Sequence, residues 1–126
     1  MQPRRLVILA DIISGVDPLT GRPLPPTVEN AVVTMGEFEP IGLQTKVLGG
    51  IQQGWFGDKI KIRKWFFKRQ GWIVAPNDNG QMTLFRFRDT GNVMEHGRLN
   101  PDLIWLIVSE QQNQTNLNAI LNWAET

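Results

Sequence analysis

The sequence predicts a small α+β domain: an antiparallel three-stranded β-meander over about 58–88, flanked by N-terminal and C-terminal helices. Three observations predict it. Residues Lys59-Ile60-Lys61-Ile62-Arg63 alternate strictly between charged and apolar, the period-two mark of a strand with one buried face. Pro76-Asn77-Asp78-Asn79-Gly80 is a dense turn signal between two apolar runs. Leu117, Ile120, Leu121 and Ala124 recur at helical spacing, which predicts an amphipathic helix over 115–125. The 126 residues, with five Trp and six Phe, suit one domain spanning 1–126 with a sizeable apolar core.

Taken in order, Leu6, Leu9, Ala10 and Ile13 fall at helical spacing, with Gly15 placed as a C-cap, and predict a helix over 3–14. The continuous run at 6–9 also suits a buried strand, and the helix is the reading taken. Four prolines and a glycine between Asp17 and Pro26 make 17–26 a loop, since proline removes donors and restricts its predecessor. Thr27 can cap a short helix over 28–35, with Val28, Ala31, Val32 and Met35 on one face. Leu43, Thr45 and Val47 alternate with polar residues and suggest a strand, which the glycines at 49, 50, 54 and 57 then break. The meander follows as strands at 58–67, 72–75 and 81–88. A competing reading makes 59–70 a helix capped by Asp58, with 72–88 as the wing of a winged-helix arrangement. Residues 92–98 read as a loop carrying His96. Residues 103–108 suit a buried strand, or a helix start with Asn100 as cap and Pro101 at its first position.

Composition removes several chemistries. The chain has no Cys, one His and two Ser, which excludes thiol catalysis, disulfides and thiolate metal sites. The glycines before Lys59 lack the Gly-Lys-Ser/Thr of a phosphate loop, and Asp58 would repel a phosphate. In the Asn77–Gly80 turn, a calcium loop would need carboxylates where Ala75 and Arg86 stand. Neither Ser14 nor Ser109 lies in a nucleophile elbow, and His96 reads as a loop-bracing residue. The expectation is a non-enzymatic protein with no catalytic residue, no metal and no cofactor. Only five apolar residues follow Arg4-Arg5, too few for a signal core, and the run at 103–108 is too short to span a bilayer. A cytoplasmic chain without a membrane partner is expected.

The net charge of +1 hides a polarised chain. Residues 59–69 hold Lys59, Lys61, Arg63, Lys64, Lys68 and Arg69 with no acid, while the segments on either side are net negative. On a strand, Lys59, Lys61, Arg63, Trp65, Phe67 and Arg69 would share one face, with Ile60, Ile62 and Phe66 on the other. Arg86 and Arg88 on a neighbouring strand would flank it. Cations that neutralise phosphates, interleaved with rings that stack on bases, are what a nucleic-acid platform needs. Those eight residues are therefore the candidate nucleic-acid-binding site, for DNA or RNA. The same basic strand could dock on an acidic protein surface or guard a sheet edge. The second functional reading is an oligomeric structural component, of the kind found in a bacteriophage head, neck or tail and so located in a virion. The Asn- and Gln-rich outer face of the last helix fits a homo-oligomer formed through it.

Overall fold

In the computed structural model, which describes residues 4–40, 58–77 and 79–125, the apolar run at 6–10 belongs to a strand. β1 (Arg4–Ile13) sends Val7 and Leu9 into one buried cluster, and Ile8 and Ala10 into another. Both faces are covered, so the strand is continuously apolar rather than alternating. The helical spacing of Leu6, Leu9, Ala10 and Ile13 is a by-product of that run, and the N-terminal helix expected over 3–14 is replaced by β1.

β2 (Thr27–Pro40) likewise replaces the short helix expected over 28–35. It pairs antiparallel with β1 from Arg4↔Glu37 to Ile13↔Thr27, with a register shift between Leu9 and Asp11. Opposite that shift Asn30 adopts a φ of 52°, a left-handed conformation Asn tolerates better than most residues. The bulge reverses the strand's parity, so Val28 and Ala31, three apart, pack in the same outer cluster. That spacing imitates a helix.

β3 (Asp58–Arg63), β4 (Trp72–Pro76), β5 (Met82–Glu95) and β6 (Arg98–Glu110) complete a closed barrel in the order β1-β2-β3-β6-β5-β4, antiparallel throughout. The expected three-stranded meander flanked by two helices is therefore wrong. β3 pairs with β2 and β6 and not with β4. The winged-helix alternative falls with it, because 58–63 is strand. The hairpin part of the expectation holds: β4 pairs with β5 across a turn in which Asn77 Oδ1 accepts from the Asn79 and Gln81 amides at 2.9 and 3.0 Å. β5 runs on to Glu95, so the expected loop at 92–98 is a tight hairpin turning at His96 and Gly97. Both have positive φ, 52° and 75°, as a two-residue turn of the favoured twist requires. Residues 103–108 are strand, the first of their two readings. The strand suggested around 43–47 lies outside the described residues.

Val7, Leu9, Phe38, Ile60, Ile62 and Leu106 fill the barrel with their neighbours, each at most 6% exposed. A six-stranded barrel is too narrow to hold anything but side chains. At Gly36 a Cβ would lie 3.0 Å from both Ile60 and Val7, so β2 passes the core there without room for a side chain. The outer wall of β1 and its neighbours is covered by α1 (Gln114–Glu125), where the spacing of Leu117, Ile120 and Leu121 places a helix. Asn113 caps it, its Oδ1 accepting from the Asn116 amide at 3.1 Å.

Strand direction alternates around the ring, so three connections gather at one mouth: 14–26, 64–71 and 96–97. β3 and β4 stand three places apart in a ring of six. Their connection, 64–71, must therefore cross the mouth.

Candidate functional site

The residues of that crossing divide by chemistry. Lys64–Phe66 is a single 3₁₀ turn, closed by the Phe67 amide donating to the Lys64 carbonyl at 3.0 Å. Phe66 and Phe67 pack onto the barrel core, and the Phe67 ring lies 5.1 Å from that of Phe87. These two rings plug the mouth. Arg63, Lys64, Trp65, Lys68 and Arg69 are exposed, Trp65 at 76%. A tight turn followed by an irregular segment breaks the period of two, which is why adjacent phenylalanines both reach the core.

The crossing is held in place by a buried polar lock. Gln70 is fully buried; its Nε2 donates to the Asn30 carbonyl at 3.0 Å and its Oε1 accepts from the Lys68 amide at 2.7 Å. Asp11 accepts from the Gly71 amide through Oδ1 and from Asn30 Nδ2 through Oδ2, both at 2.9 Å. The β2 bulge thus has a second consequence, because it presents the Asn30 carbonyl to Gln70. Arg69, between the two locked residues, has a φ of 58°.

The eight residues expected to form one face are distributed over different environments. Lys59, Lys61 and Arg63 do share the outer face of β3, opposite Ile60 and Ile62. Lys59 is 3.8 Å from Glu39, and Lys61 is 3.0 Å from Glu37 and 3.9 Å from Glu95. Both also lie over the Trp105 ring, at 4.8 and 5.5 Å. These two cations are neutralised within the fold by acids of β2 and of the β5–β6 hairpin. Phe67 is part of the plug and not of a face, because β3 ends at Arg63. Arg86 and Arg88 do not flank β3, since β6 lies between β3 and β5. Arg86 stacks on Trp72 at 4.7 Å, and Arg88 donates through Nε to Ser109 Oγ at 2.7 Å.

Arg63, Trp65 and Arg69 remain, joined on the crossing by Lys64 and Lys68, which strand parity had assigned to the buried side. Among the described residues, none of these four cations has an ion-pair partner. The signal for Lys64 and Lys68 was in the charge count of 59–69; only the assumption of one unbroken strand hid it.

Beside Trp65 opens a cleft of about 980 Å³. Arg63, Lys64 and Trp65 line one part of it, Met35 of β2 another, and Asn100 and Asp102 of β6 a third. The β6 wall is kinked by a register shift between Asn92 and Val93, and is internally bonded: Asn100 accepts from the Asp102 amide at 3.0 Å and donates to Glu95 at 3.3 Å. No helix among the described residues is long and apolar enough to cross a membrane. Comparison with protein families, with curated protein sequences and with solved structures returns no match to this chain.

Proposed function

We propose that this protein binds nucleic acid without catalysing a reaction, through the crossing at the barrel mouth. The observation that carries the reading is the set Arg63, Lys64, Lys68 and Arg69. All four are exposed and unpaired among the described residues; Arg63 ends β3, the other three stand on the crossing that Gln70 and Asp11 hold, and the exposed Trp65 lies among them in sequence. Fixed cations neutralise phosphates and release counterions at a low ordering cost, and an exposed indole offers a base a stacking surface. Lys59 and Lys61 contribute less, since their charge is balanced locally. The reading predicts that, on titration with an oligonucleotide, amide shifts in an NMR spectrum move at 63–71 and stay fixed at the β4–β5 turn. Shifts spread evenly over the surface, or absent, would count against it.

One observation favours the second reading, an assembly component. The arm at 14–26 is ordered by backbone bonds from Asp17 to Arg22, Gly21 to Asp17 and Leu24 to Gly15, at 2.8 to 2.9 Å. Yet it presents Leu19 at 93% exposure and Val16 at 61%. An ordered arm with an exposed apolar residue at its tip and another at its base is a form that packs on another protein surface. Light scattering distinguishes the two: an assembly gives a multiple of 14.3 kDa that survives high salt and is lost in Leu19→Asp.

A further inference from the structure

The cleft beside Trp65 combines three chemistries that few ligands satisfy together. Arg63 and Lys64 supply positive charge, Trp65 and Phe66 supply aromatic surface, and Asp102 supplies an exposed carboxylate with no ion pair among the described residues. The backbone that carries Asp102 is held, because the Asp102 amide donates to Asn100 and Asn100 to Glu95. Glu95 in turn is held to the barrel wall by Lys61. The volume, about 980 Å³, is at the upper end for a small-molecule pocket. A matching ligand carries an anionic group, a flat face and a hydrogen-bond donor.

We propose that the cleft takes one unstacked nucleotide of a single strand, its base against Trp65 and its phosphate at Arg63 and Lys64. Asp102 then selects bases with an exocyclic amino group. This rests on the nucleic-acid reading above and adds strandedness and base preference to it. A duplex keeps its bases stacked and cannot offer one to the indole. Cytosine presents an amino donor where thymine and uracil present a carbonyl oxygen, which a carboxylate repels.

The test is anisotropy with labelled oligo(dC), oligo(dT), their RNA equivalents and a duplex of equal length, at one fixed low salt concentration. The inference expects the single strands to bind at least about fivefold tighter than the duplex, as one base–aromatic stack provides. Oligo(dC) should exceed oligo(dT) by about threefold to tenfold, the value of one net hydrogen bond. Trp65→Ala should abolish the single-strand preference and Trp65→Phe should restore it. Asp102→Asn, whose amide can serve either pyrimidine, should bring the dC to dT ratio to about one. Both positions are exposed, so the fold tolerates these changes. Binding of single and double strands alike, unmoved by Trp65→Ala, would overturn the inference and leave the broader reading standing. Failure of every polymer to bind would overturn both. Matching DNA and RNA affinities would assign recognition to base and phosphate; a clear RNA excess would place a ribose hydroxyl in the cleft.

Discussion

Gln70 links the fold to the proposed site more directly than any charged residue does. It is fully buried, and its amide joins a strand bulge to the crossing segment. Replacing it with Leu leaves the Lys68 amide and the Asn30 carbonyl without their partners. The expected cost is about 1–3 kcal/mol, read as a lower urea midpoint with an unchanged slope. Arg69 allows a cleaner separation of charge from shape. Its positive φ suits Gly, so Arg69→Gly should keep the fold's stability within a few tenths of a kcal/mol of Arg69→Ala or above it, while both lose the same charge. At the tip of the first arm, the Asp17 carboxyl is held below its ordinary range by the Leu19 amide, which donates to it at 2.8 Å. The ionised form stabilises that turn, so the contribution is present above the unfolded-state value and is lost as pH falls through the folded one. Protection of the Leu19 amide, measured against its intrinsic exchange rate at each pH, should fall over that acid range, and an Asp17→Ala variant should lack the protection throughout.

At the scale of elements, legibility followed how simply each one is buried. α1 has one face on the barrel and one in solvent, and its spacing was readable in Leu117, Ile120 and Leu121. β4 and β5 were readable because the turn at 76–80 marks them. β1 and β2 misled for identifiable reasons. β1 is covered on both faces, so its apolar run carries no period, and the β2 bulge at Asn30 shifts Val28 and Ala31 into helical register. The basic segment was legible as a concentration of charge and not as a shape. Its first half is a strand whose cations meet Glu37, Glu39 and Glu95, partners that only the barrel's closure brings near. Its second half crosses the mouth, a position fixed by the order of strands and written in no local pattern. The packing of α1 gives a prediction of its own. Ile120 has no exposed surface, and Ile120→Ala should cost about 2–5 kcal/mol in chemical denaturation.

For the whole molecule, closure leaves a ring of strands that pair on both sides, with the connections at its ends. One mouth collects the apolar arm at 14–26, the basic crossing at 64–71 and the hairpin tip at 96–97. Connections carried on a rigid scaffold are where binding residues concentrate, and here Asp11, Asn30 and Gln70 tie the crossing, which carries most of the proposed site, to the scaffold. The near-zero net charge is consistent with a local rather than global electrostatic role: Glu37, Glu39 and Glu95 offset Lys59 and Lys61, and among the described residues Arg63 and the crossing stay positive. The central claim is that this crossing binds nucleic acid. Its most direct test is anisotropy of a labelled single strand across a salt series, for the native chain and for Arg63→Ala/Lys64→Ala/Lys68→Ala/Arg69→Ala. Neutralisation of phosphates by four cations predicts that log K falls against log salt with a slope of about −3, and that the variant's slope approaches zero. A native chain that fails to bind at low salt, or a variant that keeps the native slope, would contradict the account.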